Sequence, residues 1–423
     1  MFFNFKQSVL FIAFFSLVSS VYADERIMRS QDSVTERRHS ELEALGRYVG
    51  GFKLFPKIGF NSEYNDNIFD TQVRENRDYI AHIQPGLKVK SDWNRHALNL
   101  DLDSDLGYYA DNPEQDYQDM KLRLSGRLDV LRDSTLNLGY SFYKSHAERS
   151  SPDQRGGATP TFYLTNGWDL SYKHKLNRFF TTVGMKAQHV NYDNTPTLIG
   201  GSINNQDRNH WYYEPSIRFG YEIQPQYDAF VDVRFTGIDY DEQFDDNGFE
   251  RESSGYEALA GFAFDATGLL TGDIAVGYQY KEVVDSRLAR TAGLTGRLNV
   301  EWNVTPLTTL HGSVYRSIWE TTLNGASGVF ATDMNVGVEH ELLRQLLLSV
   351  DFDYDVREYN GFNNAVFNED RDEGIYSIGV GGKYIFSRFL SMDVSYQFRK
   401  RNVNRDLRDY QTNQVFINLV GRL

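Results

Sequence analysis

From Gly51 to Leu423 the chain alternates apolar and polar residues in runs of roughly ten to sixteen, broken by short turns or longer polar stretches. Leu98 to Leu106 shows the pattern: Leu98, Leu100, Leu102 and Leu106 share one parity, Asn99, Asp101, Asp103 and Asp105 the other. A strand sends successive side chains to opposite faces, so this run has one oily and one acidic face. Repeated many times, the pattern predicts an all-β, antiparallel, up-and-down transmembrane β-barrel with lipid outside and water inside.

Tight turns fall near Asp92–Asn94, Arg132–Ser134, Asn177–Arg178, Gln224–Gln226, Thr267–Gly268, Thr305–Pro306, Leu343–Arg344 and Ser387–Arg388. Polar stretches such as Asn65–Arg77, Ser150–Pro160, Asn194–Asp207 and Asn360–Glu373 lie between them. Eight turns and nine loops predict about eighteen strands, an even number that leaves both termini on one side. Short turns belong to the periplasmic side of such barrels and long loops to the exterior.

Parity also sorts the faces. Leu122, Leu124 and Leu128, Leu136 and Leu138, Val231, Val233 and Phe235, Leu294 and Leu298, Val350 and Phe352, and Val394 and Tyr396 read as lipid-facing. The pore-lining candidates are their polar counterparts: Asp101, Asp103, Asp105, Lys121, Arg123, Arg127, Asp232, Arg234, Arg297, Glu301, Asp351, Asp353, Asp355, Asp393 and Arg399. Lys121, Arg123 and Arg127 form a basic ladder that either faces acidic ladders as a selectivity device or pairs with them to keep the wall soluble. A strand read one residue out of register would put such charges in lipid, at roughly 2–4 kcal/mol for each Arg or Lys at mid-depth.

The first fifty residues differ. Residues 1–23 read as a signal peptide: Lys6, an apolar core over Val9–Val18, then Val21-Tyr22-Ala23 as the cleavage site. Residues 24–50 read as a periplasmic segment. Ser33-Val34-Thr35-Glu36 resembles a capping box and Leu42, Leu45 and Tyr48 recur at helical spacing, which predicts a short helix over Val34–Arg47. That segment is either a periplasmic extension or a small lumen plug. The barrel is assigned 51–423 and closes on Gln414–Leu423, the strand type that barrel-insertion machinery reads.

Composition fits an outer-membrane location in a Gram-negative bacterium. There is no cysteine, hence no disulfide, zinc-thiolate site or Cys nucleophile. Mean hydropathy is −0.52, and no segment after the signal approaches the ~18 apolar residues of a membrane helix. A barrel escapes that test because only alternate residues meet lipid. The 27 Tyr and 29 Phe supply aromatic girdles. With a net charge of −14, no nucleic-acid partner is expected.

Motifs for chemistry fail one by one. Asp351-Phe352-Asp353-Tyr354-Asp355 starts like a calcium loop but has Val356 at position six and Phe362 at position twelve, where Gly and Glu are needed. His340-Glu341-Leu342-Leu343-Arg344 lacks the second His of a zinc protease. No enzyme, metal or cofactor is expected. Tyr143, Tyr315 and Trp319 face inward, where they either stack on sugar rings or anchor the wall at an interface.

One stretch carries a family resemblance. Phe55-Pro56-Lys57-Ile58-Gly59-Phe60-Asn61-Ser62-Glu63-Tyr64-Asn65-Asp66-Asn67-Ile68-Phe69, then Ile83-Gln84-Pro85-Gly86-Leu87, Ser91-Asp92-Trp93 and His96-Ala97-Leu98-Asn99-Leu100, resembles the start of the β-barrel porin 2 family found with exopolysaccharide and capsule export. The resemblance implies an outer-membrane conduit for secreted polysaccharide in biofilm-matrix or capsule export, partnered by outer-membrane lipid and a periplasmic polysaccharide-export protein. The alternatives are a general diffusion porin for small solutes and a surface binding or adhesion barrel.

Overall fold

The computed structural model describes residues 33–34, 41–151, 153, 156–360, 371–404 and 408–423. The chain forms β1 (Arg47–Val49), β2 (Phe52–Asn65), β3 (Asp78–Ser91), β4 (Ala97–Tyr109), β5 (Tyr117–Leu131), β6 (Ser134–His146), β7 (Phe162–Leu176) and β8 (Phe179–Tyr192). A two-residue ribbon follows, β9 (Thr195–Pro196) with β10 (Ser202–Ile203). Then come β11 (His210–Gln224), β12 (Tyr227–Tyr240), β13 (Ser253–Ala266), β14 (Leu270–Val283), β15 (Thr291–Thr305), β16 (Thr308–Trp319) and β17 (Gly328–Leu343). The last are β18 (Leu346–Asn360), β19 (Arg371–Ser387), β20 (Leu390–Val403) and β21 (Tyr410–Arg422).

The long strands, β2–β8 and β11–β21, each pair antiparallel with the next, and β21 returns to β2 to close an eighteen-strand barrel. The closing ladder runs from Lys57↔Arg422 to Asn65↔Gln414. Closure is what the bilayer demands, since an open edge in hydrocarbon leaves N–H and C=O groups with no partner. The short turns fall where the sequence places them, as at 132–133, 177–178, 306–307 and 344–345, and the longer loops gather at the other end.

The strict alternation is visible in exposure. Leu294, Val336, Phe235, Val350 and Leu138 lie on the convex face at 75%, 59%, 54%, 48% and 45%. The polar parity is concave. Arg297 of β15 reaches Asp232 of β12 at 3.5 Å although two strands lie between, a convergence open only to side chains on the inside of a curved wall.

The helix expected over Val34–Arg47 is corrected. Residues 41–46 are turn and irregular chain, and Arg47–Val49 is strand β1, paired to Phe52–Leu54. Gly46 has φ +65° and Gly50 φ +59°, conformations that break a helix and fold the chain back on β2. Thr35–Ser40 of that expectation, and the signal peptide, lie outside the described residues.

Placing a guanidinium on the convex face tests the register. Val336→Arg, at the centre of β17 and opposite Phe352, is expected to cost about 2–4 kcal/mol in denaturant unfolding from vesicles, and Ser313→Arg, on the concave face of β16, far less.

Candidate functional site

The concave wall is laced by ion pairs between adjacent strands and between strands one apart. Lys57 meets Asp103 at 2.6 Å and Lys88 meets Asp101 at 3.0 Å. Lys175–Glu222 (2.6 Å), Arg234–Glu257 (2.9 Å) and Arg297–Asp273 (2.7 Å) continue the pattern, as do Arg357–Asp333 (2.6 Å) and Arg401–Glu373 (2.6 Å). The partners share the parity opposite to the lipid-facing residues, so the pairing follows from the same alternation that builds the wall.

The densest knot surrounds Asp232, which is 1% exposed. Arg218 donates to its Oδ2 at 2.5 Å, and Arg234 and Arg297 approach that oxygen at 3.6 and 3.5 Å. Arg218 also lies over the Phe230 ring, 4.5 Å from its centroid. Arg234 and Arg297 also hold Glu257 and Asp273, so three carboxylates and three guanidiniums share the knot, with Asp232 at its centre.

The other sequence-derived positions are distributed around the ring. Asp105 accepts from Gln84 and Tyr117 and contacts His82, whose other ring nitrogen meets Glu63 at 3.3 Å. Arg123 donates to the Tyr143 hydroxyl at 3.1 Å, and Arg127 meets Asp129 at 3.3 Å. Lys121 stands opposite Asp103 and Tyr143. Asp351 meets His311 at 3.2 Å, Asp353 accepts from Asn335 and Ser377, and Asp355 stands opposite Asp333. Glu301 is opposite His311, and Asp393 meets Lys383 at 3.8 Å. The candidates therefore form several separate clusters on one wall and no single catalytic constellation. Among the described residues, no three or more His, Asp or Glu side chains converge on a metal-sized site.

The exterior end holds residues that periodicity does not mark. Loop 147–161 joins β6 to β7, and loop 320–327 joins β16 to β17. Around the ring six long strands separate these loops one way and eight the other, so they start from nearly opposite sides. They meet nonetheless: Asp153 Oδ1 accepts from the Thr321 hydroxyl (3.1 Å), the Thr322 N–H (3.0 Å) and the Thr322 hydroxyl (3.2 Å). Loop 147–161 also touches β20, where Arg401 donates to the Ser150 carbonyl at 2.6 Å and Arg399 lies 3.9 Å from Glu148. It crosses the mouth.

A third loop locks this crossing. Arg251, 3% exposed, donates to the carbonyls of Thr321 (3.0 Å), Ala326 (3.1 Å) and Leu323 (3.1 Å), and its Nε donates to Asp245 at 2.5 Å. Beneath, Glu320 accepts from Tyr240 at 3.1 Å and from Lys281. Asp70, in loop 66–77, accepts from Thr412 at 2.9 Å; burial lifts its carboxyl above the ordinary range, with Arg399 pulling the other way. Chemically, the assembly is a constriction of carboxylates, guanidiniums and hydroxyls over a hydrophilic wall. Glu148, Asp153, Arg251 and Glu320 sit in aperiodic loops, whereas Arg357 and Arg401 extend the parity of Asp355 and Arg399 and were within reach of the same reading.

Comparison with known proteins gives a family match and several remote structural likenesses. A family model described as Putative beta-barrel porin 2 matches residues 40–423. Among solved structures, OprD from Pseudomonas aeruginosa is similar at 12% identity over 91% of this chain and 97% of that one, with a TM-score of 0.45. OccK9 (OpdG) from Pseudomonas aeruginosa is similar at 11% identity over 88% and 98%, with a TM-score of 0.46. The ferric citrate transporter FecA is similar at 11% identity and a TM-score of 0.47; the match covers 85% of this chain and 61% of that transporter. No curated protein matches the chain.

Two substitutions read the wall and the mouth separately. Asp232→Asn leaves three arginines around a neutral amide, and is expected to shift the reversal potential in a planar bilayer toward anion selectivity and to destabilise the barrel by about 3–5 kcal/mol. Arg251→Ala releases loop 320–327 from loop 241–252, and is expected to raise single-channel conductance without changing the unfolding midpoint of the wall as much as Asp232→Asn does.

Proposed function

The chain belongs to the beta-barrel porin 2 family, and from that premise we propose that it is an outer-membrane channel that passes secreted polysaccharide. The observation that supports this reading is the self-paired wall. Many lumen cations have a carboxylate on a nearby strand, as in Lys88–Asp101, Arg234–Glu257 and Arg401–Glu373. Such a wall offers hydrogen-bond donors and acceptors with little net field. It suits a hydrated, hydroxyl-rich chain better than a small ion that needs a strong site. Inward aromatic groups add sugar-sized faces: Tyr143 and Tyr315 hold their hydroxyls toward Arg123 and Asn299.

Movement through the channel is passive. The wall supplies weak, repeated polar contacts, and synthesis of the polymer elsewhere, with a periplasmic export protein, supplies direction. The crossing of loops 147–161 and 320–327 restrains leakage when no polymer is present.

Diffusion of small solutes is the second reading, and the same neutral wall favours it. Deletion separates the two. Loss of surface polysaccharide with unchanged uptake of small sugars and amino acids is the expected result. Normal surface polysaccharide with slowed solute uptake would replace the export reading by the porin one.

A further inference from the structure

Pairing along the wall is local, and it leaves two ladders uncompensated. On β5, Lys121 stands opposite Asp103 and Arg123 opposite Asp101, yet both carboxylates turn away from β5: Asp103 to Lys57 at 2.6 Å, Asp101 to Lys88 at 3.0 Å. Arg123 is left with the Tyr143 hydroxyl, and among the described residues neither Arg123 nor Lys121 has a carboxylate within ion-pair distance. Both are exposed on the concave face. β18 holds the converse. Its one inward cation, Arg357, is taken by Asp333 at 2.6 Å, with Asp355 at 4.0 Å. Toward the turns, Asp353 accepts from Asn335 and Ser377, both neutral, and Asp351 meets the His311 imidazole at 3.2 Å across Gly337.

The two ladders face each other. Around the ring nine long strands separate β5 from β17 one way and seven the other, and β18 adjoins β17. Counted from the short turns, Arg127, Arg123 and Lys121 stand four, eight and ten residues up β5, and Asp351, Asp353 and Asp355 five, seven and nine up β18, so the charges share one level. The same division runs through the whole wall. Inward positions of the eight strands β11–β18 carry fourteen Asp or Glu against five Lys or Arg, whereas those of the other ten long strands carry fifteen Lys or Arg against ten Asp or Glu. The bore therefore has an anionic side and a cationic side, and low-dielectric walls lined by one sign of charge focus their field into the water they enclose.

We infer that Lys121 and Arg123, facing Asp351 and Asp353, make the lumen selective for dipolar cargo: a glycan whose repeat carries both an ammonium and a carboxylate group and is neutral overall. The inference rests on the channel reading and names the charge class of its cargo. Such a chain turns each group toward the wall of opposite sign, whereas a chain of one charge is drawn to one wall and repelled by the other. Over the whole bore the two signs nearly balance, so a lone small ion of either sign gains little.

Two sugars of similar size read this directly: muramic acid, which carries an amino and a carboxyl group, and neutral N-acetylglucosamine. Entry of each is scored by the swelling of vesicles that hold the full chain, with and without Arg251→Ala to release the exterior loops. Muramic acid is expected to enter several-fold faster than N-acetylglucosamine at low ionic strength, with the preference fading in high salt. Lys121→Gln with Arg123→Gln, or Asp351→Asn with Asp353→Asn, is expected to abolish the preference. The first pair is expected to shift the reversal potential toward cation selectivity and the second toward anion selectivity. Exchanging the ladders, Lys121→Glu and Arg123→Glu with Asp351→Lys and Asp353→Lys, is expected to restore the preference. Equal entry of the two sugars through the unaltered lumen would overturn the inference. So would a preference that survives both neutralised pairs, in barrels whose heat-modifiable gel shift shows that they are folded. Entry of neither sugar, even with Arg251→Ala, contradicts the channel reading itself, and the inference goes with it.

Discussion

A hydrocarbon layer provides no hydrogen-bond partner, so every backbone N–H and C=O that enters it must be paired within the protein. The closed ladder answers that demand. Because β21 pairs to β2 as well as to β20, none of the long strands carries an open edge. Once the ladder is closed, alternation does the rest: one parity meets lipid, and the other is forced together on the inside of the curve. The exposed Leu294 and Val336 and the buried Asp232 are two outcomes of one constraint.

The interior then has its own problem. Polar side chains crowded on a concave face desolvate one another, and an unpartnered charge there is costly. The wall meets this by pairing across strands, and its densest example, Asp232 with Arg218, Arg234 and Arg297, spans the five strands β11 to β15. Pairing offsets much of the field that would bind ions tightly, which is the link between the energetics of the wall and the cargo proposed for the channel. The loops use the same chemistry for a different end. Asp153 and Arg251 each make three hydrogen bonds to loop 320–327, which ties the connections together at the mouth.

The sequence made the wall legible because the wall is periodic. Runs such as Val350–Tyr354 and Leu294–Trp302 give face and register directly, and the turns between them give strand number. The N-terminal segment was misread for the converse reason. Leu42, Leu45 and Tyr48 have helical spacing, yet Leu42 is held at the barrel mouth, Leu45 is exposed and Tyr48 lies in β1. The spacing came from three separate tertiary roles, and the backbone of Gly46 decided against a helix. The mouth was invisible because loop contacts such as Asp153 with Thr322 join residues 169 positions apart with no pattern between them. The wall positions were named from parity, but the clustering of three arginines on Asp232 depends on curvature, which parity does not encode.

The central claim is the two-sided wall, and a site-by-site accessibility scan of β18 tests it most directly. Spin labels placed singly at positions 350 to 355 in reconstituted vesicles report collision with oxygen, which concentrates in lipid, and with a polar nickel chelate, which stays in water. The account predicts oxygen maxima at 350, 352 and 354 and nickel maxima at 351, 353 and 355, a period of two residues. Uniform nickel access at all six positions, or a period near 3.6, would contradict it.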